Sequence, residues 1–230
     1  MAQPTGASEA WAAAAAALPQ GARRERELPF WRGLVERLGW RRVVDAGCGA
    51  GFHLSLLASL GVEVVGYDCS LTALLAGQRG VTAVGDILAP PVRVAGADAV
   101  LCLGNTISLL PSRAAQRRAV GALAAVLRPG GQLVVQGEDA GLVAGVPLAR
   151  TRPLEGGRTH LRVFERRGQR VQMLAGVVPS AGEASLTTTW LLPTSATAVA
   201  RMAKAWGLSR SEVPVAVPEG SGWWLLLTRR

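Results

Sequence analysis

The amino-acid sequence predicts an α/β fold in which a mostly parallel sheet carries helices on both faces. Short apolar runs rich in valine and leucine recur between residues 42 and 138, and segments of helical period separate most of them. Few polar residues interrupt the runs, as expected for strands buried on both faces. Most runs end in aspartate or glycine, the residues that turn a strand into the loop before the next helix.

The elements follow in order. "WAAAAAALPQ" reads as a short alanine-rich helix; no basic residue precedes it and Glu9 stands where a secretory leader would be positive. "LPFWRGLVERLGW" (28–40) has apolar residues at 30, 31, 34, 35 and 38, a helical period that Gly39 closes. "RRVVDAG" is a buried strand, and the stretch from Phe52 to Leu60 is a helix ended by Gly61. "VEVVGYD" (62–68) is the second strand, "LTALLAGQR" (71–79) a helix and "VTAVGD" (81–86) the third strand. "ADAVLCLG" (97–104) is the fourth strand. A Ser-capped helix over 112–131 runs to a Pro-Gly-Gly turn, and "QLVVQGE" (132–138) is the fifth strand.

Beyond residue 150 the pattern changes. "THLRVFERRGQRVQMLAGVV" (159–178) predicts two strands around Arg167-Gly168, and "ASLTTTWLLP" (184–193) a third. "TSATAVARMAKAWGL" (194–208) is a capped helix, after which "RSEVPVAVP" (210–218) and "SGWWLLLTRR" (221–230) make a closing strand pair. Residues 1–230 therefore read as a single domain, with residues 1–40 as an N-terminal helical cap and residues 151–193 as an antiparallel insert.

Composition excludes several classes. No uncharged apolar run approaches the ~20 residues that span a bilayer, so no membrane partner is expected. Cys48, Cys69 and Cys102 are odd in number and lack metal-type spacing, which predicts reduced thiols and a cytoplasmic location. With His53 and His160 as the only imidazoles, no metal site is expected. The net charge of +9 is uneven: residues 1–140 contribute +2 and residues 141–230 contribute +7. Seven arginines between Arg150 and Arg170 supply most of that excess, a run that reads as a solvated surface or as a patch for an anionic partner.

In an open parallel sheet, ligands sit beyond the carboxyl ends of the strands. Those ends carry Asp45 with Gly47, Gly49 and Gly51, then Asp68, Asp86, Gly104-Asn105 and Glu138-Asp139. A dinucleotide fingerprint needs G-x-G-x-x-G, whereas "DAGCGAGF" runs G-x-G-x-G with Phe52 at the third-glycine position. Asp45 ahead of the loop would also repel a pyrophosphate and attract a cofactor with a cationic end. A carboxylate about 20 residues after such a loop accepts from ribose hydroxyls, the place of Asp68. Asp86 stands where it would accept from an adenine amino group, with Ile87 packed on the ring, and Gly104 permits close backbone approach.

"VVDAGCGAGFHLSLLASLGVEVVGYDCS", "GDI", "DAVLCLGNTISLLP" and "LAAVLRPGGQLVVQ" resemble the class I S-adenosylmethionine-dependent methyltransferases over roughly residues 28–138. The resemblance implies a seven-stranded, mostly parallel Rossmann-like sheet whose last strand is antiparallel. It implies that Asp45, Gly47, Cys48 and Gly49 face the methionine moiety of S-adenosyl-L-methionine and that Asp68, followed by Cys69, holds the ribose. It assigns Asp86 and Ile87 to the adenine, and places Leu103 and Gly104 on the pocket wall. "FWRGLVERLG", "LGNTISLLP" and the insert are similar to the glycine/sarcosine N-methyltransferase-like branch, which implies that Arg23 or Arg24 binds the cofactor carboxylate. The Gln-x-x-Asn-Tyr pattern of that branch is absent after Gln136.

Asn105, Glu138 and Asp139 are the candidate catalytic groups, because an amine or hydroxyl acceptor needs its lone pair aligned and its proton removed. His160 is a further candidate base, and His53 reads as a packing or capping residue. DNA-type Pro-Pro-aromatic and Pro-Cys motifs are missing, and one lysine cannot supply a Lys-Asp-Lys-Glu set. The expected partner is thus a small-molecule acceptor, for a monomer or homodimer. An RNA-directed methyltransferase or RNA-binding module using Arg150–Arg170 is the alternative.

Overall fold

The computed structural model of the chain describes residues 20–77, 80–93, 95–138, 148–218 and 222–230. The alanine-rich segment and Asp139 lie outside the described residues. The described strands form a seven-stranded sheet and a separate four-stranded antiparallel sheet.

Helix α1 (Gly21–Leu38) starts earlier than its apolar period predicts and contains Pro29. Pro29 is exposed, so the carbonyl that loses its N–H partner there can be hydrated. Gly39, in the left-handed region at φ +65°, ends the helix. The chain then runs through β1 (Arg42–Ala46), α2 (Phe52–Ala58), β2 (Glu63–Asp68), α3 (Leu71–Ala76), β3 (Val81–Val84) and β4 (Ala97–Cys102). A short 3-10 turn (Thr106–Leu109) leads to α4 (Arg113–Val126) and β5 (Leu127–Gly137). Ser112 caps α4 by accepting from the Ala115 N–H. The helix stops at Val126, before the predicted Pro-Gly-Gly turn, because Pro129 bars the preceding Arg128 from helical geometry.

The sheet order is β10-β11-β5-β4-β1-β2-β3, with β10 at Leu208–Ser211 and β11 at Trp223–Arg229. β1 to β5 are mutually parallel, and β11 runs antiparallel to β5. Strand order therefore reverses between β1 and β4, and a crevice opens at their carboxyl ends. Two sequence expectations are corrected here. β3 ends at Val84, and its exposed residues make it an edge rather than a strand buried on both faces. The first closing strand covers Leu208–Ser211 instead of 210–218, consistent with Pro214 and Pro218 lacking the N–H that a ladder needs.

Alternation along the strands divides the core. Val44, Val100, Cys102, Leu133, Val135, Leu225 and Leu227 face α4 and the helix α5 (Ala196–Lys204). Val43, Ala99, Leu101, Val134 and Leu226 face α1 and α2, where Phe30, Trp31, Leu34, Leu54 and Leu57 close over them. Asp45 is on this second face.

The insert has one strand more than predicted. β6 (Leu148–Pro153) precedes β7 (Thr159–Arg167), β8 (Arg170–Val178) and β9 (Ser185–Leu191), in sheet order β6-β7-β8-β9. "LARTRP" hides β6 because two arginines occupy the positions where an apolar face would show. A buried glutamine ties this insert to the main sheet. Gln116 Nε2 donates to the carbonyls of Ile107 at 3.1 Å and Leu192 at 2.9 Å. Gln116→Leu leaves both carbonyls unpaired in the interior, and urea unfolding is expected to show a loss of about 2 kcal/mol or more.

Candidate active site

The glycine loop after β1 is built from residues that only glycine replaces without strain. Gly47, Gly49 and Gly51 have φ of +77°, +54° and +77°. A Cβ on Gly47 would lie 2.8 Å from Thr106 Cγ2, so the missing side chain lets the loop approach the end of β4. The Gly47 and Cys48 N–H groups donate to the Tyr67 carbonyl at 2.8 and 3.1 Å, tying the loop to β2. Gly66, paired with Asp45 in the register, leaves space for Cys48 and Leu54; a Cβ there would lie 2.8 Å from Cys48 Sγ.

Four strand ends converge on this loop. Asp68 Oδ2 accepts from the Gly49 N–H and Oδ1 from the Ser70 N–H, both at 2.8 Å. These bonds fix the carboxylate and leave each oxygen a further lone pair. Asp86 Oδ1 accepts from the Leu88 N–H at 2.9 Å, and Ile87 beside it is buried. At the end of β4, Leu103 is buried while Gly104 and Asn105 both adopt left-handed backbone. The Gly104 N–H donates to Gln136 Oε1 at 2.7 Å, which joins the ends of β4 and β5. Cys48 is buried and Cys69 exposed. Burial, reinforced by the charges of Asp45 and Asp68, pushes the Cys48 thiol up and keeps it neutral.

Asp45 is the least comfortable group. It is 1% exposed, and its Oδ2 has no hydrogen-bond partner. Burial raises its carboxyl to about 6; His53 and Arg23 oppose the rise and the Asp68 charge adds to it. A buried, under-satisfied carboxylate beside a side-chain-free loop fits a ligand that brings a cation.

Arg23 and Arg24 separate in the structure. Arg23 lies 4.0 Å above the Phe52 ring, at the end of the glycine loop, and pairs with buried Glu27. Arg24 turns away, donating to Ser55 at 3.4 Å and Ser59 at 2.7 Å. Between the two arginines, the geometry favours Arg23. Glu27 is the main residue the sequence reading missed, since starting the helix at residue 28 excluded it. The Arg23–Glu27 spacing of four residues on one helix face was the available signal. Burial raises the Glu27 carboxyl, but the His53 hydrogen bond and Arg23 outweigh it and hold the group at about 2.

At the end of β5, Glu138 receives Arg150 Nη1 at 2.8 Å and Arg162 Nη1 at 3.6 Å. Its backbone N–H faces Asn105 Oδ1 at 3.4 Å. Two of the predicted catalytic residues, Asn105 and Glu138, are therefore together. Arg150 and Arg162 are directly opposed across β6 and β7, and Arg152 opposes His160. Like charges in such pairs are unfavourable, and Glu138 bridges the first pair. Burial, followed by Arg162 and Arg152, lowers His160 from its ordinary value.

Comparison with known proteins agrees with this geometry. A family described as a methyltransferase domain matches residues 43–131. The chain is 32% identical over 127 residues to the glycine/sarcosine N-methyltransferase of Parasynechococcus marenigrum, covering 50% of this chain and 44% of that one. It spans about half the length of such relatives. Among solved structures, the CcbJ methyltransferase from Streptomyces caelestis superposes with a TM-score of 0.74 at 22% identity, covering 88% of this chain and 89% of the other. S-adenosylmethionine-bound CalS10, an amino pentose methyltransferase from Micromonospora echinaspora, gives 0.71 at 24% identity with 93% of each chain covered. The glycine loop, Asp45, Asp68, Asp86 and the parallel strands that carry them lie within or against the stretch that matches the methyltransferase domain.

Proposed function

We propose that the protein transfers a methyl group from S-adenosylmethionine to a small-molecule acceptor. The observation that carries this reading is the convergence of Asp45, Asp68, Asp86 and Gly104 from consecutive parallel strands around one glycine loop. Asp45 faces the cationic amino-acid end of the cofactor, Gly47, Cys48 and Gly49 line it, and Arg23 takes its carboxylate. Asp68 accepts from the ribose hydroxyls beside Cys69, and Asp86 with Ile87 and Leu103 holds the adenine. When bound, S-adenosylmethionine would supply an electrophilic methyl carbon that an acceptor lone pair could attack in line as the C–S bond breaks and S-adenosylhomocysteine leaves. The chain's task is then to align that lone pair and exclude competing water.

Asn105 and Glu138 stand where the acceptor would enter. Glu138 is committed to two guanidinium groups, so we assign it to orient Arg150 and Arg162 and to place Asn105, rather than to carry a proton away. The excess of positive charge on β6 and β7 favours an acceptor that bears an anionic group near the nitrogen or oxygen to be methylated. An RNA-directed activity would need the Arg150–Arg170 arginines on an open face. Arg150 and Arg162 engage Glu138 instead, while Arg158, Arg166, Arg167 and Arg170 remain exposed. No helix among the described residues is long and apolar enough to cross a membrane.

S-adenosylhomocysteine at 100 times its Kd is expected to stabilise the protein by about 2.7 kcal/mol, read as a thermal shift. Asp68→Ala should abolish that shift; normal binding by this variant would refute the site. Glu138→Ala is expected to lower turnover at least tenfold while leaving S-adenosylhomocysteine affinity within about twofold. Affinity should also depend on pH through Asp45. The carboxyl is ionised above about 6 and neutral below, and the ligand cation favours the ionised form. Binding should therefore weaken as pH falls through 6, by about tenfold between pH 7 and pH 5, measurable by calorimetry.

A further inference from the structure

Helix α1 reaches the glycine loop through a chain of buried polar groups to which the methyl-transfer reading gives no role. Glu27 is 4% exposed. Its Oε1 accepts from Arg23 Nε at 2.7 Å and its Oε2 from Trp31 Nε1 at 3.2 Å. The same Oε2 lies 3.2 Å from His53 Nε2. Across the ring, His53 Nδ1 faces Asp45 Oδ2 at 3.9 Å, and that oxygen has no hydrogen-bond partner. Trp31 and Phe52 pack edge-on against the imidazole, with centroids at 5.3 and 4.9 Å. The ring is thus held with one nitrogen toward each carboxylate.

A carboxylate buried on an otherwise apolar helix face is costly unless it is paired. Glu27 has its pair in Arg23, yet its second oxygen is spent on Trp31 and His53. Glu27 Oε2 and Arg23 Nη2, the latter at 3.3 Å, both meet the imidazole at Nε2, Asp45 faces Nδ1, and the interaction with His53 lowers both carboxyls. The interaction at 3.9 Å is longer than a hydrogen bond and acts through charge.

We propose that Glu27 and His53 are positioning residues, Glu27 holding the imidazole in the orientation that keeps Asp45 ready to receive the cation of the cofactor. This rests on the methyltransferase reading and extends it to helix α1, whose docking and cofactor binding become linked. The other groups around Asp45 act differently. Asp68 on β2 opposes its ionisation, and Arg23 supports it from α1 but is already paired with Glu27. Burial and the Asp45 charge push up the thiols of Cys48 and Cys102, the latter to about 12, and burial likewise raises the Tyr67 phenol. All three stay neutral where Asp45 titrates.

The test is calorimetric binding of S-adenosylhomocysteine to the full chain from pH 5 to pH 8, with folding of each variant checked by circular dichroism. Glu27→Gln retains the side chain's shape and a hydrogen-bond acceptor for Trp31 while removing the charge. The pH midpoint below which binding weakens is expected to move up by about one unit, so affinity near pH 6.5 falls about threefold and returns toward wild type at pH 8. His53→Gln should shift the midpoint in the same direction, and the double variant no further than either single change. An equal loss at every pH, or an unmoved midpoint, would overturn the proposal by reducing both residues to structural packing. If Glu27→Gln does not fold, His53→Gln decides the matter alone. A wild-type protein that binds no S-adenosylhomocysteine at any pH overturns the methyltransferase reading instead, which separates the two failures.

Discussion

Burying the Asp45 carboxylate at the end of the central strand is the constraint on which the rest of the site depends. β1 is flanked by β2 and β4 in parallel register, so Asp45 sits opposite Gly66 and Leu101 with sheet on both sides. Helices α1 and α2 cover the same face, leaving it 1% exposed. An anion in that position needs a counter-charge, and the structure supplies only part of one. His53 approaches from α2 and Arg23 from α1, yet one oxygen is left without a hydrogen bond. The glycine loop beside it presents backbone rather than side chains, which suits a ligand that brings the remaining complement.

The rest of the architecture can be read as support for that corner. Parallel pairing aligns the ends of β1 to β4, and the reversal of strand order between β1 and β4 keeps their loops from closing over one another. Glycines at 47 and 66 allow the loop to fold close to Thr106 and Cys48 without collision. Helix α1 has two tasks, since Phe30, Trp31 and Leu34 build the core while Arg23 and Glu27 reach the loop. On the opposite side of the crevice, β6 and β7 bring two opposed arginines onto Glu138. In the proposed reading the cofactor side is acidic and the acceptor side basic, a polarity suited to a cationic donor and an acceptor with an anionic group.

How legible each part was depended on the range of the interaction behind it. The strand ends Asp45, Asp68, Asp86 and Gly104 could be placed because an apolar run, a turn residue and a helical period are local signals. The shortened α4 was equally local: Pro129 was visible, but the constraint acts on Arg128 and stops the helix earlier than the glycines suggest. β6 was missed because two arginines break its apolar pattern, and one of them, Arg150, takes its partner from Glu138, a residue outside its own sheet. Glu27 was missed because the apolar period shows itself only from residue 30 onward, whereas the exposure of Pro29 lets the helix run through it from further upstream.

By itself the sequence determined the parallel α/β frame, the glycine loop, the class of cofactor and the acidic strand ends beside that loop. Hydrophobic period and turn chemistry specify these over a few residues, and a parallel sheet allows few other arrangements once its strands are known. Only the tertiary structure decided that Arg23 rather than Arg24 meets the loop, that Glu138 is held by two arginines, and that Glu27 and Asp45 face one imidazole. Those partners are 12 to 26 residues apart in three of the contacts, Glu138 with Arg150, Glu138 with Arg162 and Glu27 with His53. Which charge meets which across such distances is set by burial and packing, and no local pattern in the chain encodes it.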